Sequence, residues 1–207
     1  MSRQDDATLA RLFEIIGTTN RIAVDIGARD GVKGSNTYPF RQQGWTCVLL
    51  DAAPKGPLVR QAWLTRENIR PTLIAYEVPP SFDLLSIDVD GNDLWLWEGL
   101  STGFRPRVVV IEYNSRFAPT ESVVMAYNAA HRWDRTTYYG ASAAALVKLG
   151  ARLGYALVSV TPKQNLFFVR HDAADEATLA ALGTVPVPQA DPCGYPSDRG
   201  RRWEVYG

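Results

Sequence analysis

Apolar positions follow two different periods along this chain. In residues 5–16, DDATLARLFEII, Leu9, Leu12, Phe13 and Ile16 recur at helical spacing on one face and predict an amphipathic helix. Asp5 and Asp6 open it, where negative charge suits the helix dipole. Beyond it the apolar residues gather into short continuous runs: RIAVDIGARDG, WTCVLLD, SFDLLSID and PRVVVIEY. Continuous runs, rather than clean alternation, predict strands of a parallel sheet covered on both faces. PLVRQAWLT reads as a weaker third strand, with Thr65 or Asn68 capping a short turn of helix after it. Between the runs lie helical patterns. SNTYPFRQQG has Ser35 or Asn36 as cap and Gly44 as stop, and NDLWLWEGL follows the acid-rich SID. GASAAALVKLGARLGY is the strongest helical pattern in the chain and ends near Gly154. YALVSV and QNLFFVR, joined through Thr161, Pro162 and Lys163, predict a β-hairpin at a sheet edge.

Strands alternating with helices and closing in a hairpin give an α/β fold with an open sheet. HDAADEATLAALG predicts a peripheral helix, and the Pro-rich TVPVPQADPCGYPSDRG a wrapped or mobile tail. The expected division is an N-terminal helix at 1–20, an α/β domain at 21–170, and a C-terminal helix with tail at 171–207.

Composition narrows the function. Of 207 residues, 46% are hydrophobic and 11% aromatic, enough for one well-filled core. Lys and Arg number 22 and Asp and Glu 22, so the net charge is zero and a nucleic-acid footprint is missing. The only basic cluster is Arg199–Arg202. The apolar runs are too short to span a bilayer, and MSRQDDATLARLF has no signal-peptide core. Cys47 and Cys193 sit in unlike contexts without metal-ligand spacing, which points to a reduced, cytoplasmic protein. With only His131 and His171, a histidine-rich zinc site is not expected. The expected partner is a small molecule, with neither nucleic acid nor membrane, and self-association is left open.

Candidate chemistry sits where the strands end. In an open parallel sheet, ligands bind beyond the carboxyl ends of the strands. Asp25-x-Gly27-x-x-x-Gly31 closes the first strand and Asp51 the second, where a carboxylate can accept hydrogen bonds from both hydroxyls of a ribose. The glycines let the backbone approach a ligand closely. Neither the Gly-Lys-Ser/Thr of a P-loop nor Gly-x-Gly-x-x-Gly is present. An acid two residues before the first glycine favours a ligand with a cationic or amine-bearing group, and S-adenosylmethionine has both a sulfonium and an amine. A tight turn capped by an acid is the plainer alternative.

Taken in order, VDIGARDG, VLLDAAP, FDLLSIDVDGND, VVVIEYN, YYGAS and NLFFVR resemble the class I S-adenosylmethionine-dependent methyltransferases, in their FkbM-like branch, over residues 20–170. The resemblance implies a Rossmann-like sheet of seven strands, mostly parallel, whose last strand runs antiparallel in a terminal hairpin, with helices on both faces. It implies that Asp25, Gly27 and Gly31 line the methionine part of the cofactor and Asp51 the ribose. Ala28, Arg29, Ala52 and Asp88 complete the implied cofactor set. Leu64 and Thr65 would lie near the adenine. Arg29 stands where the glycine-rich loop often carries a middle glycine.

Asp88, Asp90 and Asp93 crowd the end of the fourth apolar run. Asn92 or Asp93 can cap the helix that follows. Asp88 and Asp90 are harder to explain, because two carboxylates at a buried strand end repel unless something positive lies between them. That partner could be a divalent cation, a substrate amine or the sulfonium. Glu112 and Asn114 end the neighbouring strand, and oxygen-only ligands suit magnesium, calcium or manganese. Asp88, Asp90 and Glu112 are therefore candidate metal ligands, while Asp90, Glu112 and Asn114 are candidates for catalysis as general base or substrate-orienting groups. Tyr113, Tyr138, Tyr139 and Ser142 are candidate substrate contacts, ordinary loop packing and a helix cap being the alternative. His131 is either a base or a packing residue. Trp95 and Trp97 read as helix packing.

These features lead to the expectation of a methyltransferase acting on a small molecule, with an oxygen acceptor such as a sugar hydroxyl favoured over an amine. The rivals are an N-methyltransferase, a nucleotide-dependent oxidoreductase of similar topology and a non-catalytic S-adenosylmethionine-binding protein.

Overall fold

The computed structural model describes residues 3–183, 185–192, 194–198 and 200–207; Cys193 and Arg199 lie outside the described residues. In chain order the elements are α1 (Arg3–Ile16), β1 (Ile22–Ile26), α2 (Tyr38–Gln42), β2 (Thr46–Asp51) and β3 (Arg60–Gln61). Next come α3 (Ile69–Ala75), β4 (Leu84–Ile87), α4 (Asp93–Leu100), β5 (Val108–Glu112) and β6 (Val123–Met125). The chain closes with α5 (Ala143–Leu153), β7 (Tyr155–Thr161), β8 (Asn165–Arg170), α6 (Glu176–Leu182) and β9 (Trp203–Val205). Seven strands form one sheet in the order β3-β2-β1-β4-β5-β8-β7. The first five are parallel, and β8 is antiparallel to both β5 and β7. The chain builds outward from β1 to β3 and then crosses back to β4, so the topological switch lies between β1 and β4.

Both faces are covered, as the unbroken apolar runs require. Val24, Ile26, Leu85, Ile87, Val109 and Ile111 face a cluster with α3, α4 and α5, in which Trp97 is 1% exposed. Ala23, Leu84, Val108, Val110 and Phe167 face the other way, against Leu9, Leu12, Phe13 and Ile16 of α1 and Phe40 of α2. Trp95 and Trp97 are packing residues as expected, and the Trp95 Nε1–H donates to the Met125 carbonyl.

One ion pair ties this second layer to the amino ends of the strands. Asp83 is fully buried and accepts from the backbone N–H groups of Thr19, Asn20 and Arg21, while Arg107 donates to it at 2.9 Å. The same guanidinium donates to the carbonyls of Ile16, Gly17 and Ala173. Arg107 thus supplies donors to the end of α1, where helix carbonyls lack partners.

Several local expectations need correction. The third strand is only Arg60–Gln61. The turn after it is a seven-residue helix, α3, with Asn68 at its N-cap and no side-chain cap bond. Thr37, not Ser35 or Asn36, is the N-cap of α2. Ser35 is drawn instead to Asp25, to which its hydroxyl donates at 2.6 Å. Asn92 is the N-cap of α4, but neither it nor Asp93 caps the helix with a side chain, for a reason given below. The tail was expected to wrap or move, and it wraps. β9 pairs antiparallel with β6 in a small second sheet that the sequence reading did not foresee. Ser142 caps α5 by accepting from the Ala145 N–H, and Asp175 caps α6 by accepting from the Thr178 N–H.

Candidate active site

The loop after β1 is shaped by contact between backbones. Gly27 has φ +88°, and a Cβ placed there would lie 1.7 Å from the Asp88 carbonyl oxygen. No other residue fits, so the first turn of the loop lies directly against the end of β4. The N–H groups of Gly27 and Ala28 donate to the Leu50 carbonyl at the end of β2. The Ala28 side chain packs inward on Leu49 and Val59. Gly31, at φ +72°, closes the turn by donating to the Ala28 carbonyl at 2.7 Å. Arg29 also has a positive φ, +52°, and its N–H donates to the Asp51 carboxylate at 2.8 Å. The Ala53 N–H donates to the other Asp51 oxygen, and the Ala52 carbonyl accepts from Gln61. Asp51 therefore binds the glycine loop to the end of β2 and keeps further lone pairs on a partly exposed carboxylate.

Asp25 lies lower than expected. It is 2% exposed, beneath the loop rather than on its surface, and accepts from the hydroxyls of Ser35 and Thr37. Burial pushes its carboxyl above the usual range although these hydroxyls hold it down. Leu64 packs against the core, and the Thr65 N–H donates to Asn68.

The acids of the fourth strand form the centre of the site. Ile87 pairs with Ile111, so the next positions, Asp88 and Glu112, emerge side by side from β4 and β5. Asp90 joins them from the turn beyond. One carboxylate oxygen each from Asp88, Asp90 and Glu112 can be chosen so that all lie within 4.8 Å of one another. Asp88 is pushed up to about 8 by burial and then by the charges of Asp93, Asp90 and Asp25. Asp90 is pushed up to about 6 by burial, Asp93 and Asp51, with Arg29 opposing. Asp51 and Arg29 are near enough for their charges to bear on Asp90, and Gly27 lies against the end of β4, so the glycine loop and the acids adjoin. Three carboxylates so placed need protons or a cation between them. An all-oxygen set at this spacing fits a hard divalent ion.

Asp93 explains the shape of this turn. Its carboxylate accepts from the N–H groups of Val89 and Gly91, both at 2.9 Å. It organises the turn in front of α4 instead of capping the helix, and the turn leaves Asp90 at φ +54°.

Other expected site residues have structural partners. Asn114 is fully buried; its amide donates to the carbonyls of Thr137 and Tyr139 and thereby holds the 137–139 segment. The Ser142 hydroxyl accepts from Val123 and Ala145, so it serves the fold of α5 and β6. The Tyr113 hydroxyl accepts from the Lys163 N–H. The Tyr138 hydroxyl donates to the Arg202 carbonyl in the tail. All four thus hold backbone groups of the surrounding framework. Tyr139 is buried in an aromatic group with Trp133 and Tyr195. A cavity of about 390 Å³, lined by Ser81, Thr102, Arg105, Arg170 and Asp172, lies at the amino ends of β4 and β5, away from the acids.

The fold resembles solved methyltransferase structures at low identity. An O-methyltransferase from Bacillus cereus in complex with SAH is 22% identical over 56% of this chain, with a TM-score of 0.41; the chain spans 59% of that protein. The N-terminal domain of EvdMO1 with SAH bound is 12% identical over 82% of this chain and 80% of its own, with a TM-score of 0.47. MycE methyltransferase from the mycinamycin biosynthetic pathway, in complex with Mg, SAH and mycinamycin VI, is 15% identical over 80% of this chain and 50% of its own, with a TM-score of 0.45. No family model and no curated protein matches the sequence.

Proposed function

We propose that this chain is an S-adenosylmethionine-dependent methyltransferase of the FkbM-like type. Its acceptor is a hydroxyl of a small molecule, a sugar or a related metabolite, and Asp88, Asp90 and Glu112 hold a divalent cation, Mg2+ being the favoured ion. The observation that carries the reading is the joining of two half-sites at the switch between β1 and β4. On one side are the Gly27–Gly31 loop and Asp51; on the other are three acids within 4.8 Å. Zero net charge supports a small-molecule partner over a nucleic acid.

S-adenosylmethionine supplies an activated methyl on a sulfonium, and a divalent cation lowers the pKa of a nearby hydroxyl and fixes its direction. The residues of the chain do the rest. Asp51 offers acceptors to ribose hydroxyls beyond those it gives Arg29 and Ala53. The Gly27 turn brings backbone close to the methionine part without a side chain in the way. If no cation is held there, Asp90 or Glu112 instead takes the proton from the acceptor hydroxyl. Methyl transfer is an in-line displacement, so fixed positions of these groups account for much of the rate.

The reading predicts that EDTA lowers methyl transfer by at least about tenfold, and that Mg2+ restores it. Unchanged turnover in EDTA would remove the cation from the proposal. Asp51→Ala should weaken SAH binding by about tenfold or more, the loss of hydrogen bonds to a charged acceptor. Asp90→Ala should leave SAH affinity within about twofold and lower turnover at least about a hundredfold, the loss expected of a group that moves a proton. The reverse pattern would undo these assignments.

A further inference from the structure

The turn that carries Asp90 is held from outside its own element. Its N–H groups are fixed by Asp93, and the Gly91 carbonyl accepts from the Gly140 N–H at 3.1 Å. On its remaining side stands His131. A Cβ built on Gly91 would lie 2.4 Å from His131 Cδ2 and 2.9 Å from Nε2, so the imidazole fills the space that a side chain at 91 would need. The ring is anchored by its own segment. The His131 N–H donates to the Asn128 carbonyl, and the Asn92 amide donates to that same carbonyl. The Trp63 Nε1–H donates to the Ala129 carbonyl at 2.7 Å, and Arg132 lies over the Trp63 ring. The 128–132 segment is thus fastened to both the β3–α3 loop and the acid-bearing turn.

Among the described residues His131 Nε2 is buried without a hydrogen-bond partner, while the imidazole is hydrogen-bonded to the backbone of Asp90. A general base needs its nitrogen within reach of the proton it removes. The ring instead makes its close contact with Gly91, immediately after a residue in the left-handed region. That conformation costs an ordinary residue of order 1 kcal/mol or more and persists only where the surroundings hold it. We infer that His131 is a positioning residue, whose ring presses on Gly91 and keeps Asp90 turned toward Asp88 and Glu112 for cation binding. This rests on the reading of those three acids as a cation site. The imidazole also reaches the backbone of Asp90 by hydrogen bonding, so the ring's shape and a ring nitrogen both bear on the turn.

The test is a titration of Mn2+ into the full chain, with the free ion followed by electron paramagnetic resonance and SAH affinity measured in parallel. His131→Ala should weaken Mn2+ binding by about tenfold, the lower end of losses seen when outer-shell partners are removed, and leave SAH affinity unchanged. His131→Phe keeps a ring over Gly91 and should bind Mn2+ at least about threefold more tightly than His131→Ala, which a general loss of stability would not do. Gly91→Ala, whose new methyl must displace the ring, should match His131→Ala. Equal Mn2+ affinity in the parent and His131→Ala overturns the inference, as does a Phe variant that fails to recover or a Gly91→Ala protein that binds normally. A parent protein that binds SAH but no Mn2+ overturns the cation reading and this inference with it.

Discussion

Gly27 and Asp51 show how single residues set the crevice. At Gly27 both the positive φ and the 1.7 Å approach to the Asp88 carbonyl forbid a side chain. Gly27→Ala should cost more than about 1 kcal/mol, because Ala suffers where φ is positive and must also push two strand ends apart. Thermal unfolding should show a fall of several degrees, and SAH affinity should drop with it; an unchanged melting temperature would mean that β1 and β4 do not meet as described. Asp90 is the residue whose meaning changed most. From sequence it was a candidate ligand or base beside Asp88, and the structure adds that Asp51, Arg29 and Glu112 bear on it as well.

Among the elements, the strands were legible because burial on both faces leaves an unbroken apolar run, and β1, β2, β4, β5, β7 and β8 fall where those runs lie. Helix α5 was legible for the same kind of reason, with Ser142 and Gly154 marking its ends. Elements held by partners far away in the chain were not. β3 was expected within residues 57–65 but its bounds were not legible, because its two residues are exposed and form a strand through pairing with Leu50 and Asp51. β6 and β9 form only because residues 123–125 and 203–205 meet, which no local pattern encodes. The acids of the site were readable as a cluster of types at strand ends. The engagement of Asn114 and Tyr138 by backbone groups depends on the 137–139 segment and the tail folding over them, so these two contacts could not be read locally. His131 gave no signal beyond being one of two histidines.

The Asp83–Arg107 pair makes a prediction at this scale. Burial alone would raise the Asp83 carboxyl, but Arg107 and the N–H groups of Arg21 and Thr19 outweigh it and hold it below the usual range. A depressed pKa gives stability that is complete above the unfolded value, near about 4, and lost as pH falls through the folded value. Arg107→Leu should therefore cost about 3–5 kcal/mol at pH 7, since it strands a buried carboxylate and three helix-end and loop carbonyls. The gap between parent and variant should narrow as pH drops below about 4. Denaturant melts across pH check both, and a gap that widens in acid would reverse the assignment.

For the whole molecule, the sheet divides the labour. Its amino ends carry the Asp83–Arg107 knot, and its carboxyl ends carry the glycine loop, Asp51 and the three acids. The tail closes the assembly on the acid side. The Ser122 hydroxyl donates to the Tyr206 carbonyl, and Tyr206 packs edge-on against Trp95 of α4. Tyr206→Ala should cost about 2–4 kcal/mol, as for other buried aromatics, and loosen the 123–142 region that holds Tyr138 and Tyr139. Hydrogen exchange localised to that region would show it, whereas unaltered protection there would separate the tail from the site.

The central claim is that the crevice between β1 and β4 takes S-adenosylmethionine. Isothermal titration of the full chain with SAH and, separately, NADH tests it most directly. Saturable one-site SAH binding, weakened by Asp51→Ala, and no binding of NADH are expected. Binding of NADH without SAH would contradict it.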